Sequence, residues 1–208
     1  PYERSKAAAE REVLRGVAAG LDAVIVSPAA VIGPYDFKPS QVGRLILDLY
    51  RGRLPALTGG GQSWVDVRDV AGGAIAAAER GRRGERYLLS GHPLEIAALA
   101  DMVAAVAGVR RPRLVLPLGL LGAVAPAAET FSRLLGREPV LSSVSVDSLR
   151  GPLEMCHDKA ARELGFAPRP LAETVAEAVT WLCDHHLGAA APSERSTAAP
   201  ANPPRSAP

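Results

Sequence analysis

A helical pattern that runs straight into a short, wholly apolar, β-branched run constrains this chain most. Residues 3 to 19 are rich in Ala, Arg and Glu, and Ala7, Ala8, Val13, Leu14 and Val17 supply an apolar stripe at helical spacing. Gly20 ends the pattern, because glycine is the usual helix stop. The run from Ala23 to Val26 follows at once, predicts a strand buried on both faces, and so points to a parallel sheet. Pro28 stops it, and Gly33-Pro34 marks a turn. A helix that feeds such a strand belongs to the α/β class.

Two chemistry-bearing residues head that first helix. Tyr2 and Lys6 stand four apart in Pro1-Tyr2-Glu3-Arg4-Ser5-Lys6, so a helix projects both from one face, one turn apart. An ammonium beside a phenol favours phenolate and draws the phenol from about 10 toward neutral pH. Such a phenol can give a proton to a carbonyl or take one from an alcohol. The same spacing also decorates solvated helix faces, so the pair alone leaves both readings open.

Downstream, Ser40 suits an N-cap for a helix carrying Val42, Leu45, Ile46, Leu49 and Tyr50, closed by Gly52. Residues 53–63 read as an extended, loop-rich crossing, with Gly59-Gly60-Gly61 as a flexible loop. Asp69 suits an N-cap for the small-residue helix that begins at Val70. Further expectations are a strand at 86–90 and a helix at 94–107 with Leu94, Leu99, Met102, Val103 and Val106 inward. A strand at 113–116, a helix at about 118–135, a helix opening at Asp158 and a last helix over 171–187 complete the pattern. From Gly188 the chain is Ala, Pro, Ser and Arg without apolar periodicity, which predicts a disordered tail over 188–208.

The Tyr2-x-x-x-Lys6 helix, the strand and the Pro-rich loop together resemble the second half of the extended short-chain dehydrogenase/reductase family, the NAD-dependent epimerase/dehydratase group. Trp64 to Ala71 resembles that family's last core strand and following helix, and Gly84 to Gly91 its next strand. Asp158-Lys159-Ala160, Glu163 to Phe166, Pro168, Leu171 and Trp181 resemble its C-terminal signature. Pro112, the 114–128 stretch, Glu129, Gly136-Arg137 and Pro139 narrow the likeness to the dihydroflavonol-reductase-like branch.

The resemblance implies an α/β fold: the C-terminal part of a Rossmann-type doubly wound parallel sheet plus a smaller mixed α/β substrate lobe. Residues 1–83 would belong to the dinucleotide-binding domain, with 35–62 inserted toward the substrate lobe, and 84–187 would form that lobe. It implies Tyr2 as general acid/base, with Lys6 lowering its pKa and bonding the nicotinamide ribose. Pro28, Ala29 and Val31 would lie against the nicotinamide of NAD or NADP. The expected activity is reduction of a ketone or aldehyde; a nucleotide-sugar epimerase or dehydratase, or a non-catalytic nucleotide-binding protein, are the alternatives. Arg44, Arg51 and Arg53 could serve a sugar nucleotide's diphosphate. The glycine-rich turn that cradles a pyrophosphate and the triad's Ser or Thr would precede Tyr2 in a complete enzyme of this kind. The chain is therefore expected to be a fragment, inactive by itself. Family likeness also suggests a homodimer through residues 3–19.

Bulk properties exclude other classes. A net charge of +2, with basic pairs only at Arg82-Arg83 and Arg110-Arg111 and no aromatic platform beside them, argues against nucleic acid. The apolar stretch 114–128 is too short to span a membrane and carries Pro117 and Pro126, so a core or pocket-lining helix is expected. Cys156 and Cys183 match no metal spacing, and reduced thiols suit a cytoplasmic protein. His185-His186 read as a frayed helix end. The expected partner is a small-molecule substrate.

Overall fold

The computed structural model describes residues 2–123, 149 and 151–187, and only the backbone of residues 2 and 3. Chain order begins with α1 (Tyr2–Ala18), β1 (Ile25–Pro28), β2 (Ala30–Ile32), α2 (Gln41–Tyr50), β3 (Leu57–Thr58) and β4 (Gly61–Asp66). It continues with α3 (Val67–Arg80), β5 (Arg86–Leu89), β6 (His92–Glu95), α4 (Ile96–Ala107) and β7 (Val115–Leu116). Residues 118–123 are helical, and α5 (Asp158–Leu164) and α6 (Leu171–Leu187) close the described chain.

The expected parallel pairing is present. β1 pairs parallel with β5, Ile25 opposite Arg86 and Pro28 opposite Leu89. β2 pairs parallel with β4, and β4 pairs antiparallel with β6. β3 pairs parallel with β7. β5, in the 84–187 segment, thus lies beside β1 of the 1–83 segment. Strand β1 is only half-buried, and among the described residues β5 is its one paired neighbour.

The pleat of β4 divides the interior in two. Successive strand side chains face opposite ways, so Trp64 enters one core and Val65 the other. The Trp64 core gathers Ile46 and Leu49 of α2, Leu99 and Val103 of α4, and Val175, Val179 and Leu182 of α6. Trp64 itself donates from Nε1 to the Leu94 carbonyl at 2.9 Å. The Val65 core packs Ala76 and Ala77 of α3 against Tyr87 and Leu89 of β5 and Leu164 and Phe166 around α5.

Several expectations are corrected. The apolar stripe of α1 enters neither core, and Leu14 is exposed. Residues 53–63 are not simply a crossing, since they hold β3 and the start of β4. The glycines at 59–61 are not a flexible loop. Gly59 N donates to Leu116 O at 2.9 Å, the Gly60 carbonyl accepts from Ile96 N at 2.9 Å, and Gly61 opens β4. A Cβ on Gly61 would stand 2.7 Å from the Leu94 carbonyl, so close strand approach is what requires glycine there. Leu94 lies in β6 rather than on α4, and Val106 is exposed. The expected strand at 113–116 is confined to Val115–Leu116. Most of the expected 118–135 helix, part of the 114–128 stretch and the 188–208 tail lie outside the described residues.

Candidate functional site

A cavity of about 220 Å³ opens beyond β2. Its wall is formed by Val31, Gly33, Tyr35 and Asp36 on one side, with Ile46 of α2 and Leu182 of α6 on the other. Its position follows from the chain order: β2 delivers the 33–37 segment past its own carboxyl end, and α2 then folds back beside it. The carboxyl ends of parallel strands are where ligands bind in open α/β sheets.

Local chemistry holds that corner. Gly33 has φ of +152°, and a Cβ there would stand 2.7 Å from Cγ1 of Val67. Only glycine lets this turn pass α3 so closely. The Asp36 carboxylate accepts from Ser40 N at 2.9 Å and from Ser40 Oγ at 2.8 Å. Ser40 Oγ in turn accepts from Gly43 N at 3.1 Å, so Ser40 is the N-cap foreseen from the sequence. A Cβ on Gly43 would stand 2.2 Å from Asp36 Oδ2, so the bare glycine makes room for that carboxylate. The residues lining the cavity are apolar except for Tyr35, Asp36 and Ser40.

The other end of the same floor is a charged staple. Asp66, and not Asp69, caps α3: its carboxylate accepts from Arg68 N at 2.7 Å. It also accepts from Arg68 NH2 at 2.7 Å and from Thr174 Oγ1 of α6 at 2.8 Å. Burial pushes the Asp66 carboxyl up. Hydrogen bonds from Arg68, side chain and backbone, and from Thr174 outweigh it and hold the group below the usual carboxylate range. Arg68 also pairs with Glu177. Asp69 sits in the first turn of α3, where it accepts from Arg169 N at 2.8 Å and Arg169 NH2 at 2.8 Å. Sequence reading assigned the cap one turn late, since both aspartates precede apolar helical residues.

Of the sequence-predicted site residues, Val31 lines the cavity. Pro28 ends β1 exposed, and Ala29 bridges β1 to β2, donating its N–H to Leu89 O at 3.0 Å. Lys6 is exposed on α1. Tyr2 opens α1, one turn before Lys6, and its side chain lies outside the described residues. Arg44 donates from Nε to the Pro39 carbonyl at 3.0 Å.

Sequence reading missed the aromatic rim. Tyr35 has φ of +71°, a left-handed value rare for a non-glycine residue. The Phe37 ring meets Trp181 edge-on at 5.0 Å, and Tyr35 lies 6.1 Å from it. His185 stacks on Trp181 at 4.1 Å, and His186 Nε2 lies 3.2 Å from the Asp36 carbonyl. The histidine pair is therefore packed into the last turn of α6 rather than frayed. The available signal was Tyr35 and Phe37 so close to the Gly33-Pro34 turn. Among the described residues no group of three His, Cys, Asp or Glu could hold a metal, and no helix is long and apolar enough to cross a membrane.

Comparison with known proteins agrees with this architecture. Residues 1–90 match the NAD dependent epimerase/dehydratase family. The chain is 37% identical over 182 residues to sterol demethylase protein B of Methylococcus capsulatus, covering 86% of this chain and 56% of that protein. It is 36% identical over 191 residues to a Synechocystis protein bearing the name dihydroflavonol 4-reductase, covering 88% of this chain and 55% of that one. Among solved structures, PA4631, a nucleoside-diphosphate-sugar epimerase from Pseudomonas aeruginosa, superposes with a TM-score of 0.68 at 31% identity, covering 86% of this chain and 54% of that chain. The chain thus spans about half the length of the curated relatives it matches. The parallel strand pairs and C-terminal helices agree with these matches, and residues 1–90 belong to the NAD dependent epimerase/dehydratase family.

Proposed function

We propose that the complete protein is an NAD(P)-dependent oxidoreductase that reduces a ketone or aldehyde, with Tyr2 as its general acid/base. The observation that carries this reading is the Tyr2-x-x-x-Lys6 helix feeding β1 within the family-matched residues 1–90. The bound cofactor would supply the hydride. Tyr2 would protonate the carbonyl oxygen, and Lys6 would hold the phenol acidic and bond the ribose.

The residues present suit the nicotinamide end of a dinucleotide. Pro28 has no N–H and is exposed at the carboxyl end of β1, and Ala29 uses its own N–H on the sheet. What Pro28, Ala29 and Val31 offer is an apolar surface for a flat ring. The phosphate-cradling turn expected upstream of Tyr2 is not in this sequence, so residues 1–208 alone are expected to bind NADH and NADPH far more weakly than the complete protein.

Reduction is favoured over epimerisation of a sugar nucleotide by the charge at the cavity. Its charged lining residue is Asp36, which repels a diphosphate. The cavity is also smaller than the roughly 300–1,000 Å³ of drug-sized ligand sites. Epimerisation remains the second reading, because PA4631 is an epimerase at 31% identity.

NADPH or NADH oxidation by the complete protein, with and without a carbonyl substrate, tests the proposal. Tyr2→Phe should lower kcat by about 10²–10⁴, as expected for a positioned acid/base. Turnover near wild type in that variant defeats the assignment. Sugar interconversion without net cofactor oxidation would select the epimerase reading.

A further inference from the structure

Beyond the carboxyl ends of α2 and α4, arginine gathers beside exposed leucine. β3 and β7 pair in parallel, with Leu57 N donating to Leu114 O at 2.9 Å, so the segments leading into them enter from one end. The segment after α2 carries Arg51 and Arg53, and the segment after α4 carries Arg110, Arg111 and Arg113. Among the described residues, only Arg111 of these five has a carboxylate partner, Asp101. A cation just past a helix complements its macrodipole, which gives Arg51 and Arg110 a structural reason but not Arg53 or Arg113.

Apolar side chains continue from this charge. Leu114 is 57% exposed and Leu120 is 54% exposed, with Val115 and Pro117 exposed between them. The core position expected for the 114–128 stretch therefore fails here, since in residues 114–123 Leu121 alone is buried. Leu116 and Leu118 pack on Leu121 and anchor the segment, leaving Leu114 and Leu120 outward. No Asp, Glu, Lys or Arg interrupts residues 114–123.

We propose that this end of the molecule docks on an anionic phospholipid bilayer. Arg51, Arg53, Arg110 and Arg113 meet the headgroups, and Leu114 and Leu120 enter the interface. Unpaired arginine complements any anion; the uncharged aliphatic segment directly after the basic run is what selects a bilayer over a soluble acidic chain. Surface contact is the mode, since no described helix is long and apolar enough to cross. The patch is separate from the cavity: Val42, Gly43 and Ile46 of α2 line the cavity, whereas the arginines follow the last residue of α2, Tyr50. Ten helical residues span about 15 Å, so lipid contact leaves the cavity wall free. The inference does not rest on the reductase reading.

Co-sedimentation of the complete protein with vesicles is the test, with phosphatidylcholine alone or mixed with phosphatidylserine. The mixed vesicles should retain the protein at physiological salt, the neutral ones should not, and high salt should weaken retention. Arg110→Gln with Arg113→Gln should lower the partition coefficient about 20-fold, at roughly fivefold per arginine near an anionic surface. Leu120→Ser should lower it about tenfold, by removing one aliphatic side chain from the interface. All three side chains are exposed, so both variants should keep the wild-type circular dichroism and unfolding midpoint. Equal retention on neutral and mixed vesicles, or retention on neither, overturns the proposal. So does wild-type partition by Leu120→Ser, which would mean that charge alone is read. Capture on immobilised polyglutamate without retention on mixed vesicles would assign the patch to an acidic protein instead.

Discussion

Asp66 offers the sharpest physical test of the scaffold. Its side chain is fully buried and serves three partners in two helices at once: the Arg68 N–H at the cap of α3, the Arg68 guanidinium and Thr174 of α6. Asp66→Asn keeps a good N-cap residue but removes the charge. A hydrogen bond to a charged group contributes about 1.5–3 kcal/mol, and Arg68 retains Glu177 as a second partner, so the loss should be about 2 kcal/mol. Asp66→Ala also loses the cap, worth about 0.5–2 kcal/mol, for a total of about 3–4 kcal/mol. Urea unfolding of the complete protein, followed by circular dichroism, reads both. The sign with pH follows from the depressed carboxyl: a group whose folded pKa lies below its unfolded value stabilises above the unfolded pKa, and that stability is lost as pH falls through the folded value. The gap between wild type and Asp66→Asn should therefore be full near neutrality and close in acid. An Asn variant within about 0.5 kcal/mol of wild type at neutral pH, or a gap that stays constant into acid, would refute the account of a net-favourable buried carboxylate.

Two further outcomes follow from close approach and buried polar groups. Gly33→Ala puts a methyl group 2.7 Å from Val67 Cγ1 on a positive-φ backbone, and should destabilise by about 1–3 kcal/mol in the same denaturation assay. Tyr87→Phe strips a fully buried hydroxyl that donates to Glu163 at 2.8 Å and accepts from Arg82 N at 2.9 Å; unfolding should become easier by about 1–3 kcal/mol, and an unchanged midpoint would show these partners satisfied by water.

Much of the fold was legible because its cues are local. The Ser40 cap, the helix opening at Asp158 and the last helix over 171–187 all came out where pattern and capping chemistry placed them. The parallel character of the strand after Gly20 was readable from its unbroken apolar run, although the strand itself lies at Ile25–Pro28. Short β6 was not readable, since His92-Pro93-Leu94-Glu95 carries no β-branched residue and becomes a strand only by pairing with β4.

What the sequence by itself determined is the order of the helices, the spacing of Tyr2 and Lys6 on one of them, and the family resemblance that this order carries. Those rest on periodicity and short-range bonding, which neighbours along the chain dictate. Only the tertiary structure decided that Asp66 rather than Asp69 caps α3, that Gly61 is pressed against β6, and that Tyr35 meets Trp181 across 146 residues of sequence. Each of those depends on which surfaces come within a few ångströms after folding, and a linear pattern holds no distance between remote side chains.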